Sequence, residues 1–300
     1  MSKTYFAVSD VHSYYQPMME ALKEAGYDRK NPDHVLIVCG DAFDRGPDSM
    51  KMLRFLRSLP KENRVFIRGN HEILLRKCFE RGFFYEYDRD NGTLDTMGEL
   101  AGLDRDYGDK LLALLINGEI SEGEYAEMMQ EKWKEYISKP FRSRRIKKTV
   151  EWIFSDDWVD YYRLGRFVFV HAWIPVKHSG KEWWKEDEKS LHYDKDWETR
   201  PHEEWEFASW LCPWKAYVAK LGPSEGDTIV CGHWHVQDFH THLGHDIDGY
   251  KNREIYYSDR LIALDAMTAS YPHVCNVLVI RDGKCYDKHG NVLGDDKEGQ

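Results

Sequence analysis

Short apolar runs alternate with longer amphipathic ones along the first third of the chain. Tyr5–Ser9, Val35–Cys39 and Val65–Arg68 are brief, rich in β-branched residues and bounded by polar positions, a pattern that predicts strands. Between them, Gln16–Ala25 places Met18, Met19 and Leu22 on one face, and Ser49–Leu59 does so with Met52, Leu53, Leu56 and Leu59. That spacing is the stripe of a surface helix. The strand–helix repeat of about thirty residues is the size of a βαβ unit. It predicts an α/β fold with a largely parallel, buried sheet and right-handed crossovers.

The rhythm breaks over residues 73–163. Leu74–Arg81, Lys110–Ile116, Glu122–Ser138 and Thr149–Asp157 read as helices and no strand stands out, so a helical insertion is expected there. Strand runs resume at Phe167–Val170, Thr228–Cys231, Leu261–Leu264 and Val274–Ile280. A Trp- and charge-rich excursion, residues 173–226, lies mostly between the first two, with a short helix expected near Glu203–Leu211. The polar tail after Asp287 is expected to fray.

Composition narrows the class. A chain of 300 residues can bury a substantial core without disulfide staples. One chain-long domain, residues 1–300, is expected. Lys and Arg total 42 against 52 Asp and Glu, a net charge of −10. That balance argues against a stable nucleic-acid partner, because phosphate-backbone contacts need a basic surface. No apolar run approaches the roughly 20 residues of a membrane span, and the N-terminus has no secretory pattern. The six cysteines are scattered without a C-x-x-C pair. A reduced, cytoplasmic protein with buried thiols is the expectation.

The chemistry collects at the strand ends. The runs terminate in Ser9-Asp10-Val11-His12, in Gly40-Asp41-Ala42-Phe43-Asp44-Arg45-Gly46, in Gly69-Asn70-His71-Glu72, in His171, and in Gly232-His233-Trp234-His235. Ligands of open α/β sheets bind beyond the carboxyl ends of the strands, so five ends point Asp, His and Asn toward one region. A mixed oxygen and nitrogen donor set suits Mn, Fe or Zn. The candidates outnumber the ligands of one tetrahedral ion, so two ions fit better. A shared carboxylate would hold them about 3.5–4 Å apart. Two such ions would keep the site locally cationic on an acidic chain, ready for a phosphorylated substrate.

These motifs resemble the calcineurin-like metallophosphoesterase superfamily, and GDAFDRG with GNHE resembles its phosphoprotein phosphatase family. The resemblance covers residues 1–72, then Phe167–His171, Thr228–His235 and the strands to about Asp282. It implies a four-layer α/β/β/α sandwich and a dinuclear centre whose bridging hydroxide attacks phosphorus in line. It further implies that Asp10 and His12 hold the first metal, Asp41 bridges, and Asn70, His171 and His233 hold the second. In the wider superfamily a G-H-x-H pattern adds His235 to the first. His71 would be the general acid, Asp44 its orienting carboxylate, and Arg45 the clamp on the phosphoryl oxygens. The chain departs from the family pattern at Ser9 and Ser13, which stand where it has glycines, and at Ala172-Trp173, where it has two more.

The leading expectation is a protein-phosphatase-type phosphomonoesterase. A dinucleoside polyphosphate hydrolase of the diadenosine tetraphosphatase kind is the alternative, with Trp173 and Trp234 near the mouth to stack adenine. A phosphodiesterase or nuclease and a non-catalytic binding module follow. The basic run Lys139–Lys148 reads as a solvated helix entry, with a phosphate-binding patch as its alternative. His240, His242 and His245 read as loop histidines. Trp183, Trp184, Trp197, Trp205, Trp210 and Trp214 read as a lid packed over the sheet.

Overall fold

The computed structural model describes residues 3–103, 134–178, 190–223 and 226–294. The first part runs β1 (Thr4–Val8), α1 (Tyr15–Glu24), β2 (His34–Cys39), α2 (Ser49–Ser58), β3 (Arg64–Ile67) and α3 (Asn70–Arg81). Four further helices follow: α4 (Glu86–Asp90), α5 (Thr93–Ala101), α6 (Lys134–Arg142) and α7 (Arg144–Ile153). Then come β4 (Tyr162–Leu164), β5 (Phe167–Phe169), β6 (Val176–Lys177), β7 (His192–Tyr193), α8 (His202–Ala208), α9 (Pro213–Val218) and β8 (Thr228–Cys231). The last elements are α10 (Val236–His242), β9 (Tyr256–Tyr257), β10 (Leu261–Ala263), β11 (Leu278–Arg281) and β12 (Lys284–Tyr286).

Two five-stranded sheets form, in the orders β12-β11-β1-β2-β3 and β4-β5-β8-β10-β9. Both are mixed, which corrects the expectation of a largely parallel sheet. The strands β1-β2-β3 and β5-β8-β10 are parallel, while β11, β12, β4 and β9 pair antiparallel. Two-residue connections explain two of these pairings. Gly165-Arg166 joins β4 to β5 and Asp282-Gly283 joins β11 to β12, with Gly165, Asp282 and Gly283 at positive φ. So short a turn can only reverse the strand.

Strand alternation builds the layers. Phe6, Val8, Leu36 and Val38 face one core with helices α1, α2, α3, α5 and α7. Ala7, Ile37, Cys39 and Ile67 face the opposite way and meet Phe167, Phe169, Val230 and Ile262 of the second sheet. Val168, Ile229, Cys231 and Leu261 then face a third core with Trp173, Trp197, Trp205 and Phe239. The result is the expected α/β/β/α order. Strands buried on both faces explain why the runs read as continuously apolar. Each fully buried Val, Leu, Ile or Phe is worth about 1.5–3 kcal/mol, so a one-residue slip would be costly.

The helical stretch is not mere surface. The Glu99 carboxylate of α5 accepts from the Ser49 and Met50 amides at 2.8 and 3.1 Å, capping α2. Val159 bridges Ile67 and β4 opens at Tyr162, so strand structure begins before residue 163, contrary to expectation. The helix expected at Thr149 starts at Arg144, because Ser143 accepts from the Ile146 amide as its N-cap. That places Arg144–Lys148 on a largely exposed helical turn. Lys110–Ile116, most of Glu122–Ser138, and Trp183 and Trp184 lie outside the described residues.

Other expectations shift in detail. His240 and His242 lie on α10 rather than in a loop. The tail is tied down as far as residue 294 by a turn at Asp287–Gly290 and by the Leu293 amide donating to the Cys285 carbonyl at 2.9 Å. Among the described residues no helix is long and apolar enough to cross a membrane.

Candidate metal centre

The loops after β1, β2, β3, β5 and β8 converge as the strand ends predicted. Their backbone is unusual: Asp10, His12, Ser13, Asp41, Asp44, Arg45 and His233 all have φ between 45° and 72°. Non-glycine residues rarely enter that left-handed region, and they persist there only where surrounding contacts over-determine them. Glu72 supplies many of those contacts. Fully buried at the start of α3, its carboxylate accepts from the amides of Asp41, Ala42 and Gly69 at 2.9, 2.9 and 2.8 Å. One side chain thus ties the loop after β2 to the loop after β3.

Asp41 stands at the centre. Its Oδ2 lies 3.7 Å from His12 Nε2 and 3.9 Å from His71 Nε2, while its Oδ1 lies 3.4 Å from His171 Nε2. Two triads share it: His12, Asp41 and His71, and Asp41, His171 and His233. Within each, one ligand atom per residue lies within 4.8 Å of the others. Asn70 joins the second through Oδ1, 2.7 Å from His171 Nε2. Asp10 is held against the same site: its Oδ2 accepts from the His233 amide at 2.9 Å and from the Ser9 hydroxyl. His235 stands outside both triads, with its side chain 39% exposed and Nε2 3.9 Å from Asp265 Oδ2.

The donor chemistry fits cations. His12 Nδ1 meets the Phe43 carbonyl at 3.1 Å, His171 Nδ1 the Cys39 carbonyl at 3.0 Å, and His71 Nδ1 the Asp44 carboxylate at 2.9 Å. The His12 and His171 rings thus spend their Nδ1 protons on anchors and turn Nε2 lone pairs inward, the outer-shell arrangement of metal-binding imidazoles, while the same kind of anchor aims His71 Nε2 at Asp41. Burial holds the His12, His71 and His233 rings well below their usual range. Burial, then the neighbouring Asp10 and Glu72, push the Asp41 carboxyl well above its range. Crowded carboxylates beside neutral imidazoles are relieved by divalent charge.

Several contributors escaped the sequence reading. Thr93 Oγ1 of α5 donates to Asp44 Oδ2 at 2.6 Å, and the Asp44 amide donates to Thr96 Oγ1 at 3.1 Å. A Cβ at Gly92 would collide with the Arg45 backbone, so the α4–α5 turn buttresses the exposed Arg45, whose Nη1 is 3.3 Å from His12 Nε2. Nothing in the sequence pattern announces those contacts. Asp265 was legible: it is a sixth polar residue at a strand end, directly after Leu261–Leu264. It is buried, and its carboxyl is raised by burial and then by Asp10. Trp173 corrects an expectation. It is 1% exposed, its Nε1 donates to the Leu221 carbonyl at 3.1 Å, and it packs in the third core, out of reach of a ligand. Trp234 is half-buried against the same core.

The calcineurin-like phosphoesterase family profile matches residues 4–237. The chain belongs to that family. Its α/β/β/α sandwich is the family's architecture, and the shared-carboxylate triads support a hydrolase acting on phosphoesters. The symmetrical bis(5'-nucleosyl)-tetraphosphatase of Legionella pneumophila (strain Lens) is 36% identical over 70 residues, 23% of this chain and 24% of that protein. The asymmetrical bis(5'-nucleosyl)-tetraphosphatase PrpE of Bacillus subtilis (strain 168) is 36% identical over 74 residues, 22% of this chain and 30% of that protein. The match therefore spans less than a third of the length of these relatives. A solved cold-active protein-tyrosine phosphatase of a psychrophilic Shewanella has a TM-score of 0.48 at 12% identity, over 98% of this chain and 80% of that one.

Proposed function

We propose that this calcineurin-like phosphoesterase hydrolyses phosphoric anhydrides of dinucleoside polyphosphates, using a dinuclear metal centre. The carrying observation is the pair of triads that share Asp41. The two sequence relatives described above are named as tetraphosphatases, which favours this reading over the protein-phosphatase one.

In this reading Asp10, His12 and His235 hold one ion, Asn70, His171 and His233 the other, and Asp41 both. When bound, the ions would neutralise phosphoryl charge and supply a water-derived nucleophile for in-line attack. Arg45 projects its fork from the loop rim to bind phosphoryl oxygens. His71 Nε2 faces the same point as Asp41 and delivers a proton to the leaving oxygen. In that role both ring nitrogens carry protons: the Nε2 proton passes to the leaving oxygen, while Asp44, held by Thr93, accepts from Nδ1 and stabilises the imidazolium.

The test is a Mn-supplemented panel of diadenosine tetraphosphate, a phosphoserine peptide and a cyclic nucleotide, on wild type and His71→Asn. Diadenosine tetraphosphate should be the best substrate. The variant should lose less on it than on phosphoserine, because a nucleotide leaving group departs with little need of a proton. A phosphoserine peptide cleaved in preference would return the assignment to the protein-phosphatase type. Equal losses on all substrates would remove His71 from the acid role.

A further inference from the structure

Two aromatic groups border the two triads that share Asp41, one beside His233 and one on the His12 side, and neither is used by the chemistry above. On the His233 side, Trp210 sits with its ring centroid 6.2 Å from the His233 ring and nearly perpendicular to it. Its carbonyl anchors the His233 ring, and the indole is 37% exposed. On the His12 side, Tyr14 follows the first motif directly. Its ring packs over Gly46, where a Cβ would meet Tyr14 Cδ2, and so lies beside Arg45. Tyr14 stacks on His273 with centroids 4.4 Å apart and planes 25° apart, and His273 meets Tyr271 edge-on at 6.1 Å.

This second group is built, not incidental. The Tyr14 hydroxyl donates to the Ala269 carbonyl at 3.2 Å, and His273 Nδ1 contacts the Thr268 carbonyl at 3.0 Å. Arg253 holds the same loop through the Ser270 and Tyr271 carbonyls at 3.2 and 3.3 Å. Met267 and His273 are both in the left-handed region, strain that such anchoring maintains. Yet Tyr271, the last ring of the ladder, is 86% exposed. A cleft of about 500 Å³ is walled by the neighbouring Pro272 and His273 together with Glu20, Lys23, Glu24 and Lys288. Pairwise contacts link Trp210 to His233, His233 and His12 to Asp41, Arg45 to His12, Tyr14 to His273, and His273 to Tyr271.

We infer that Trp210 and the Tyr14–His273–Tyr271 ladder are two nucleobase platforms flanking the phosphate site, one for each base of a dinucleoside polyphosphate. Rings on either side of a polyphosphate-binding centre match a ligand with a base at each end. Base–aromatic stacking tolerates any base, because every base has a π-face. The inference rests on the dinucleoside polyphosphate reading, but its test separates the two.

Calorimetric titration of the wild-type protein compares non-hydrolysable methylene-bridged analogues of adenosine diphosphate and of inorganic pyrophosphate. The adenosine should improve affinity about ten-fold. Tyr271→Ala and Trp210→Ala should each reduce that advantage, the double variant should abolish it, and Tyr271→Phe and Trp210→Phe should keep it. Affinity for the pyrophosphate analogue should stay the same throughout, which also shows that the variants are folded. An equal affinity for the two ligands in the parent overturns the inference whatever the chain hydrolyses. So does an advantage that survives the double variant. An advantage lost in the double variant, with no dinucleoside polyphosphate cleaved by wild type, would uphold the platforms and overturn the proposed function.

Discussion

Thr93→Val isolates the link between the helical stretch and the proton-transfer pair. The substitution is nearly isosteric and removes one hydroxyl, the donor 2.6 Å from Asp44 Oδ2. Burial pushes the Asp44 carboxyl from 3.8 up to about 7, and the Thr93 hydrogen bond is the largest influence opposing that rise. Asp44 must be ionised to accept the His71 Nδ1 proton, so activity should rise with pH through the Asp44 titration. A hydrogen bond to a charged group is worth about 1.5–3 kcal/mol, and 1.36 kcal/mol moves a pKa by one unit. Losing it favours the protonated form and should move the acid limb upward by roughly one to two pH units. The assay is the pH dependence of kcat/KM on a phosphoserine peptide, where protonation of the leaving group matters most. The high-pH plateau should stay near wild type. A uniform drop across pH with an unmoved acid limb would refute the argument, since Thr93 would then act only on packing.

The same shift has a stability consequence. The folded-state value lies above the unfolded one, so the stability that protonated Asp44 contributes is fully present below 3.8 and lost as pH rises through about 7. Measured by urea denaturation, Asp41→Asn should remain folded yet bind neither metal ion at wild-type affinity and lose turnover; full metal stoichiometry with normal rates would break the shared-carboxylate assignment. Glu72→Leu orphans three buried amides at about 1–3 kcal/mol each, so the unfolding free energy should fall by roughly 3 kcal/mol or more; a loss below about 1 kcal/mol would show that the loops hold themselves. Gly92→Ala places a methyl group against the Arg45 backbone at a φ of +79°. It should raise KM for phosphate esters several-fold with little change in kcat; an unchanged KM would detach the α4–α5 turn from Arg45.

The motif residues were legible one by one because each strand ends in a short polar cluster, and a strand end is the one place where an α/β sheet exposes its ligands. Asp10, His12, Asp41, Asn70, His171 and His233 stand in the clusters that this local grammar marks, and the family resemblance singles them out as candidate ligands. Asp265 obeyed the same grammar and was passed over. The tertiary structure decided what depends on contacts between residues far apart in the chain. Thr93 reaches Asp44 across 49 positions and Arg253 holds a loop 17 residues away. His273 stacks on Tyr14 from the far end of the fold. Hydroxyls on an amphipathic helix and rings on a surface loop carry no periodic signal, since their role comes from what the packed cores bring beside them. Trp173 shows the converse: a tryptophan two positions after a candidate metal-ligating histidine reads as a ligand platform until the sheet turns it inward, where its apolar area is worth more buried in the core than exposed at the mouth.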